Sequence, residues 1–250
     1  MRKLMTLAIM AGGIAFASPA LATTFDMVTG YNTAPYTYGS GVGGSTFSAF
    51  TNNFATGCQG AANFTCHTNS SAFGLPAVGK NIGATTFSFA SVTLPNDVVY
   101  FHPGNSAGQD AILRFTAATT DIYTLSGNFI RLDRTTTDSG SQDGVLASIF
   151  KVSGSTYTSL YSNVLVGAFN NSISFTGLST SLAAGDYLEF VVNRRTAFNT
   201  DSTGLRATIT TGVLGGGVPE PATWAMMLLG FGLIGTTLRR RSPARLSTTA

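Results

Sequence analysis

Apolar and polar side chains alternate one by one through several short segments of this chain, and no other feature limits its fold as strongly. In residues 111–116, Ala111, Leu113 and Phe115 share one face of an extended chain, and Arg114 and Thr116 take the other. Residues 123–129, 188–192 and 205–209 repeat the pattern. A side-chain period of two between turn residues indicates strands with one buried face. We predict an all-β fold, a single antiparallel β-sandwich.

Residues 23–84 differ from the rest of the predicted sandwich. They are rich in glycine and aromatic residues, but their alternation is weak. We predict a strand or two here with long loops, packed onto the sandwich as the irregular N-terminal part of one domain, residues 23–212. Turn dipeptides such as Asp143-Gly144 and Ser153-Gly154 separate the later strands.

The first 22 residues have the three zones of a secretory signal peptide. Arg2 and Lys3 precede an apolar run over residues 4–16, and Ala20-Leu21-Ala22 supplies the small residues that signal peptidase accepts. We predict cleavage by signal peptidase after Ala22; the alternative is a retained N-terminal anchor.

The other end of the chain has a proline box, an apolar run and a basic stop. A glycine-rich linker (213–218) precedes Pro219-Glu220-Pro221, and apolar residues 222–238 follow. As a helix this run covers roughly 25 Å, near the lower limit for crossing a membrane. Arginines are costly to translocate and stay cytoplasmic. The stop consists of Arg239, Arg240 and Arg241, before a tail over residues 242–250.

Residues 218–241 closely resemble the PEP-CTERM sorting signal in their proline box, apolar span and arginines. The resemblance implies processing by exosortase, a membrane protease-transferase of Gram-negative bacteria. It further implies a precursor anchored in the inner membrane by the C-terminal helix, and then release to the cell surface or the extracellular matrix.

The charge of the exported part excludes a nucleic-acid-binding protein. The whole chain has a formal charge of +3, but six of its fourteen basic residues lie in the two end segments. Residues 23–217 contain eight basic and ten acidic residues, so the exported part is near −2. A basic patch for nucleic acid is therefore not supported.

The two cysteines of the chain, Cys58 and Cys66, lie eight positions apart in the exported part. In an oxidising compartment two nearby cysteines indicate a disulfide that closes a small loop. The alternative is a metal site that includes His67, although it needs more ligands than the neighbourhood offers.

A second resemblance concerns the exported part as a whole. Its strand and turn residues are similar to those of a jelly-roll module of exported bacterial proteins, related to galactose-binding-like carbohydrate-binding domains. The resemblance implies a jelly-roll-like sandwich and a carbohydrate ligand. It rests on residues 102–104, 111–117, 122–129, 143–145, 182–192 and 201–205, with Asp133.

Few residues of the exported part indicate chemistry. A His-Glu-x-x-His zinc motif and a phosphate loop before a helix are absent from the sequence, and Glu189 is the only glutamate between residues 23 and 217. We expect no catalysis. Calcium is an alternative to simple turn capping at four aspartates near turn residues. These are Asp138, Asp143, Asp186 and Asp201.

A glycan-binding site is expected to contain an aromatic ring beside polar side chains. Tyr36 and Tyr38 in the glycine-rich region are the candidates, with core packing as the alternative role. We therefore expect a non-enzymatic exported protein that contacts extracellular polysaccharide. The alternatives are a structural matrix component without a ligand and a secreted hydrolase whose site has no recognisable motif.

Overall fold

The computed structural model describes residues 22–134, 143–212, 225–232 and 234. Residues Ala22–Val213 form one compact unit. The second unit comprises Met1–Leu21 and Leu214–Ala250, of which the described residues 225–232 and 234 are helical.

The larger unit is built almost entirely of antiparallel strands. In chain order they are β1 (Thr24–Asp26), β2 (Tyr36–Gly41), β3 (Ser48–Ala49), β4 (Asn52–Phe54), β5 (Phe64–Thr68), β6 (Ala77–Asn81), β7 (Phe87–Phe89), β8 (Val92–Leu94), β9 (Val99–His102), β10 (Asp110–Thr116), β11 (Asp121–Arg131), β12 (Val145–Ser153), β13 (Thr156–Val166), β14 (Ser172–Leu182), β15 (Tyr187–Arg194) and β16 (Thr203–Thr211).

These strands form two main sheets and a small hairpin. The large sheet has the order β14-β11-β16-β9-β6-β5-β4, with β1 also paired to β16. The small sheet has the order β13-β12-β15-β10-β2-β3, and β7 pairs only with β8. The mainly antiparallel β fold confirms the predicted fold class.

The alternating segments predicted from the sequence are strands whose apolar face is buried in the core. On β10, Ala111, Leu113 and Phe115 are fully buried, whereas Arg114 and Thr116 are partly exposed. β16 has the same arrangement, whereas on β15 the residues of the other face, Glu189 and Val191, are buried as well. The inward residues of these two strands, each at most 5% exposed, are Leu188, Phe190, Val192, Leu205, Ala207 and Ile209.

The two sheets pack face to face around an aromatic core. Phe115 of the small sheet lies 5.7 Å from Tyr123 of the large sheet, centroid to centroid. Phe175 and Phe190 make a second contact between the sheets at 6.3 Å. Burial of this apolar surface is the main force that holds the sheets together.

A second, smaller core lies on the outer face of the large sheet, under the hairpin β7–β8. Phe64 lies between Phe89 and Tyr100, with ring centroids 5.4 and 5.0 Å away. Val99 and Phe101 face the main core, while Tyr100 faces this second one. Residues Val99, Tyr100 and Phe101 of β9 therefore meet an apolar core on both faces of the sheet, which explains why they are hydrophobic without alternation.

The predicted disulfide is confirmed. Cys58 and Cys66 are bonded, with their Cα atoms 5.8 Å apart. The bond joins a short 3-10 turn (Cys58–Gly60) to β5 within the second core. Because both thiols are used, the alternative metal site beside His67 is excluded.

The expectation for residues 23–84 was wrong in one respect. The region contains six strands instead of one or two, and β2 pairs with both β10 and β3 inside the small sheet. Gly39 and Gly41 belong to the strand β2. Glycine is required at both positions because the segment that follows β2 packs closely against them. A Cβ at Gly39 would collide with Phe47 and Ser48, and one at Gly41 would collide with Thr46.

Candidate functional site

Both tyrosines predicted to contact a ligand, Tyr36 and Tyr38, lie on β2 and border one concave surface. Their rings are 7% and 6% exposed and belong to the main core. Most of each side chain is packed against other side chains, which is the alternative role, core packing, that the sequence left open for both tyrosines. Ligand binding at these residues stays a prediction, based on the cleft that they border.

This surface, called here the tyrosine cleft, has a volume of about 390 Å³. Buried tyrosines and the half-buried Phe50 provide its apolar part, and exposed amides provide its polar part. Its principal lining residues are Asn32, Tyr36, Tyr38, Phe50, Asn53 and His67.

His67 connects the aromatic and polar parts of the tyrosine cleft. Its ring is stacked on Tyr38, with centroids 4.4 Å apart and planes at 23°. Its Nε2 donates to Oδ1 of Asn32, which leaves Nδ1 as an acceptor. Burial lowers the pKa of His67 to about 4, so the ring is neutral at physiological pH.

Tyr38 is also fixed by its hydroxyl group. The backbone N–H of Asn32 donates to Tyr38 Oη at 2.9 Å. Burial raises the pKa of Tyr38 to about 12 and that of Tyr36 still further, so both phenols stay protonated. The hydroxyl of Tyr36 is buried without a hydrogen-bond partner among the described residues.

The lining of the tyrosine cleft carries no charge at neutral pH. None of its ten described lining residues is Asp, Glu, Lys or Arg, and its histidine is neutral. An apolar surface with a few placed polar groups is typical of small-molecule sites. The arrangement suits a neutral ligand that combines apolar C–H groups with hydroxyl groups.

A second groove, of about 530 Å³, lies over β11 and β16 and differs in its charge. Arg206 and Asp97 form an ion pair there at 3.0 Å. Asp26 accepts from the backbone N–H groups of Val28 and Thr29 at 2.9 and 2.8 Å. These charged side chains are paired with each other or bound to the backbone, so they are not free for a ligand.

The only glutamate of the exported part, Glu189, is fully buried in an ion pair. Its Oε1 accepts from Nε of Arg114 at 3.0 Å and from Nη2 of the same side chain. The guanidinium carbon of Arg114 lies 3.8 Å from the ring centre of Phe47 and 4.3 Å from that of Tyr187. The geometry gives Glu189 a structural role, and the loop that carries Phe47 covers its ion pair with Arg114.

A cluster of buried ionisable groups lies near the start of β16. Asp133 accepts from Ser91 Oγ and from the backbone N–H of Ser202. Both carboxylate oxygens of Asp201 are buried and have no hydrogen-bond partner among the residues that the structure describes. Burial raises the pKa of Asp201 to about 8; Asp143 and Asp133 add to the rise, and Arg131 opposes it.

Of the four aspartates considered for calcium, the three that the structure describes do not meet at one place. Asp143 and Asp201 belong to the buried cluster, whereas Asp186 caps a turn by accepting from the backbone N–H of Ala183 at 3.0 Å. Asp138 lies outside the described residues. Within the described ranges, no three His, Cys, Asp or Glu side chains are arranged to hold a metal ion.

Residues 104–108 read Gly-Asn-Ser-Ala-Gly, which has the spacing of the nucleophile elbow of α/β-hydrolases. In those enzymes the elbow joins a strand to a helix. Here the segment is an exposed turn between β9 and β10, where the backbone N–H of Ser106 donates to Gln109 Oε1. The setting is not that of an elbow, so the spacing alone does not indicate catalysis.

Three residues of the tyrosine cleft were not predicted from the sequence: Asn32, Asn53 and His67. His67 was considered only as a metal ligand beside the cysteines. The pairing of β4 with β5 sets Asn53 opposite His67, and the turn before β2 brings Asn32 to the same place. No local pattern marks these long-range contacts.

The sorting-motif residues Pro219, Glu220, Pro221 and Arg239–Arg241 lie outside the described residues, as does Ala20 of the cleavage site. Ala22 is described and exposed, two residues before β1. Among the described residues, no helix is both long enough and apolar enough to span a membrane.

Comparison with solved structures yields only weak likenesses. The GH26-CBM35 β-(1,4)-mannanase of Podospora anserina is 14% identical with a TM-score of 0.27, and the match covers 61% of this chain and 26% of that one. The enzymatically active domain of tailspike protein 4 from bacteriophage CBA120 is 16% identical with a TM-score of 0.26, over 62% and 20% of the two chains. These scores are too low to support an argument about function.

Comparison of the sequence with protein families gives a firmer result. No curated protein matches the chain. The family model of the PEP-CTERM protein-sorting motif matches residues 217–241, which contain the proline box, the apolar run and the arginines. The chain therefore carries a PEP-CTERM sorting motif, which identifies it as an exported, exosortase-processed protein with a membrane-anchored precursor.

Proposed function

We propose that the protein works at the cell surface or in the extracellular polysaccharide matrix, where it contacts neutral glycans through the tyrosine cleft. The observation that carries the proposal is the uncharged lining of that cleft, in which His67 and the amides of Asn32 and Asn53 border an apolar surface. Sugar rings combine C–H faces with hydroxyl groups, and the cleft offers partners for both.

The proposed role is contact without turnover. Hydrolysis of a glycosidic bond generally requires two carboxyl groups on either side of the bond. The described lining of the tyrosine cleft contains none, and Glu189 is held in its pair with Arg114.

The sorting motif supports the proposed location. An exosortase substrate is delivered outside the cytoplasm, where polysaccharide is the ligand that the domain would meet. A small net negative charge on residues 23–217 does not favour acidic polysaccharides, which agrees with the neutral cleft.

Two substitutions of polar groups test the tyrosine cleft while leaving its core intact. His67→Phe keeps a ring over Tyr38 but removes both nitrogens, and Asn53→Ala removes an exposed amide. We expect each to weaken binding of neutral polysaccharides by roughly fivefold to tenfold, the usual effect of losing a hydrogen bond. Titration of the full chain in detergent against neutral and acidic polysaccharides is the measurement.

Asn128→Ala, on the outer face of the large sheet, is the matched control and is expected to bind like wild type. Equal binding by wild type and all three variants would show that the tyrosine cleft is not the binding site. If the wild type binds no polysaccharide, the structural-matrix role is favoured. Release of sugar products would favour the hydrolase.

A further inference from the structure

A further and more enclosed pocket, called here the hairpin pocket, lies beneath the hairpin β7–β8 and shares no lining residue with the tyrosine cleft. Its volume is about 140 Å³. The 3-10 turn, the hairpin, the end of β9 and the segment before β16 all contribute to it. The residues that matter for its chemistry are Gln59, Phe89, Ser91, His102, Asp133 and Ser202.

Unusual backbone conformations concentrate at this hairpin pocket. Six described residues other than glycine have a positive φ angle, and three of them are asparagines, which tolerate it. The other three are Gln59 (53°), Ala90 (45°) and Thr200 (59°), and all three line the hairpin pocket. Strained residues of this kind collect at ligand sites, because the fold holds them for a purpose other than stability.

Gln59 brings an unused amide to the hairpin pocket. Its Nε2 is buried without an acceptor, and within the described part of the chain its side chain makes no hydrogen bond. The disulfide of Cys58 fixes the turn that carries it. Because an amide presents either N–H or oxygen after rotation about its last bond, Gln59 can donate to a ligand or accept from it.

His102 supplies an acceptor on another side. Its Nδ1 donates to the carbonyl oxygen of Pro103 at 2.7 Å, so Nε2 keeps its lone pair. Burial lowers the pKa of His102, which keeps the ring neutral. No described residue donates to this second nitrogen, and the ring lines the hairpin pocket.

Asp133 and Phe89 complete the set of contacts. Each carboxylate oxygen of Asp133 accepts one hydrogen bond, from Ser91 and from Ser202, and can accept another. Phe89 supplies an apolar wall. A carboxylate ligand would be repelled by Asp133, and a purely apolar ligand would leave the amide and the imidazole unpaired.

We propose that the hairpin pocket binds one sugar residue or a small polyol, as a site separate from the tyrosine cleft. A hydroxyl group can donate to His102 Nε2 and accept from Gln59 at the same time. Its neighbours on a sugar can donate to Asp133, while C–H groups face Phe89. The volume equals that of about five water molecules in the liquid, enough for a polyol or most of a sugar ring.

The histidine content of the chain makes the two sites separately measurable. The chain has two histidines, His67 in the tyrosine cleft and His102 in the hairpin pocket. Nuclear magnetic resonance of full-length protein labelled at histidine therefore gives one set of signals for each site. His67→Phe assigns the signals, because only those of His102 remain.

Glucose, galactose, mannose, N-acetylglucosamine and glycerol are the probes. We expect at least one of them to shift the His102 signals in a saturable manner. Gln59→Met keeps the shape of the side chain but removes its amide, and it should weaken this binding about fivefold to tenfold. Asn53→Ala should leave it unchanged.

The proposal is overturned if none of the probes shifts the His102 signals, or if Gln59→Met binds them as tightly as wild type. A thermal unfolding curve for Gln59→Met checks that the variant is folded. If it is not, Ser91→Ala provides the same test, because Ser91 lines the hairpin pocket and orients Asp133. If these small probes shift only the His67 signals, they bind in the tyrosine cleft and the hairpin pocket is contradicted.

Discussion

Asp201→Asn is expected to abolish much of the loss of stability that the wild-type protein shows as the pH rises from about 4 to about 8. The folded state raises the pKa of Asp201 from 3.8 to about 8, mainly through burial. Between these values the folded protein holds a proton that the unfolded chain has released. Its contribution to stability is therefore fully present below the unfolded pKa and is lost as the pH rises towards the folded one.

The effect should amount to a few kcal/mol, since one pKa unit corresponds to about 1.4 kcal/mol. Asparagine has nearly the same shape as aspartate and does not ionise. The free energy of unfolding of the variant, relative to that of wild type, should therefore increase as the pH rises. Urea unfolding at several pH values measures the difference. Asp97→Asn, at a 62% exposed side chain, is the control and should follow the wild-type curve. The same pH dependence in Asp201→Asn and wild type would contradict the assignment.

Arg114→Met is expected to lower the free energy of unfolding by about 3–5 kcal/mol, because it leaves the fully buried Glu189 without its counter-charge. Contacts of the guanidinium with Phe47 and Tyr187 are lost as well. Urea unfolding at pH 7 is the measurement.

Arg206→Met is the matched control for Arg114→Met. It breaks the ion pair with Asp97, in which the two side chains are 36% and 62% exposed, and should cost about 1 kcal/mol or less. The double variant Arg114→Met with Glu189→Gln should recover part of the lost free energy of unfolding, since residue 189 then carries no charge that needs a partner. If Arg114→Met costs no more than Arg206→Met, the buried pair has no special role.

Strand identity was predictable where burial is one-sided. On β16 one face enters the core while Arg206, Thr208 and Thr210 on the other are partly exposed, so the sequence alternates and the strand is visible in it. The strands β10 and β15 alternate less regularly, because Ile112 and Val191 on their other faces are buried too. On β2 the alternation is hidden, because Gly39 and Gly41 provide room for the segment that folds back over them. A local pattern cannot show which later residues will pack on a glycine.

The disulfide was predictable because its two residues are close in sequence, and the sites were not predictable because their residues are distant in sequence. Cys58 and Cys66 are close in sequence, so their pairing needs no knowledge of the fold. His67 and Tyr38 are stacked across 29 positions, and only the order of strands in the two sheets brings them together. Tyr36 and Tyr38 border one concave surface, and their burial depends on the same long-range packing.

Whether the chain is a sorting precursor is tested most directly by the intact mass of the protein recovered from the envelope and the medium of cells that contain an exosortase. We predict a main species that begins at Thr23 and ends near Pro221, without Trp224 and the three arginines that follow the apolar run. A variant with alanine at Pro219, Glu220 and Pro221 should instead keep the C-terminal segment. A main wild-type species that still contains Trp224 and Arg239 would contradict processing by exosortase and leave an ordinary membrane anchor.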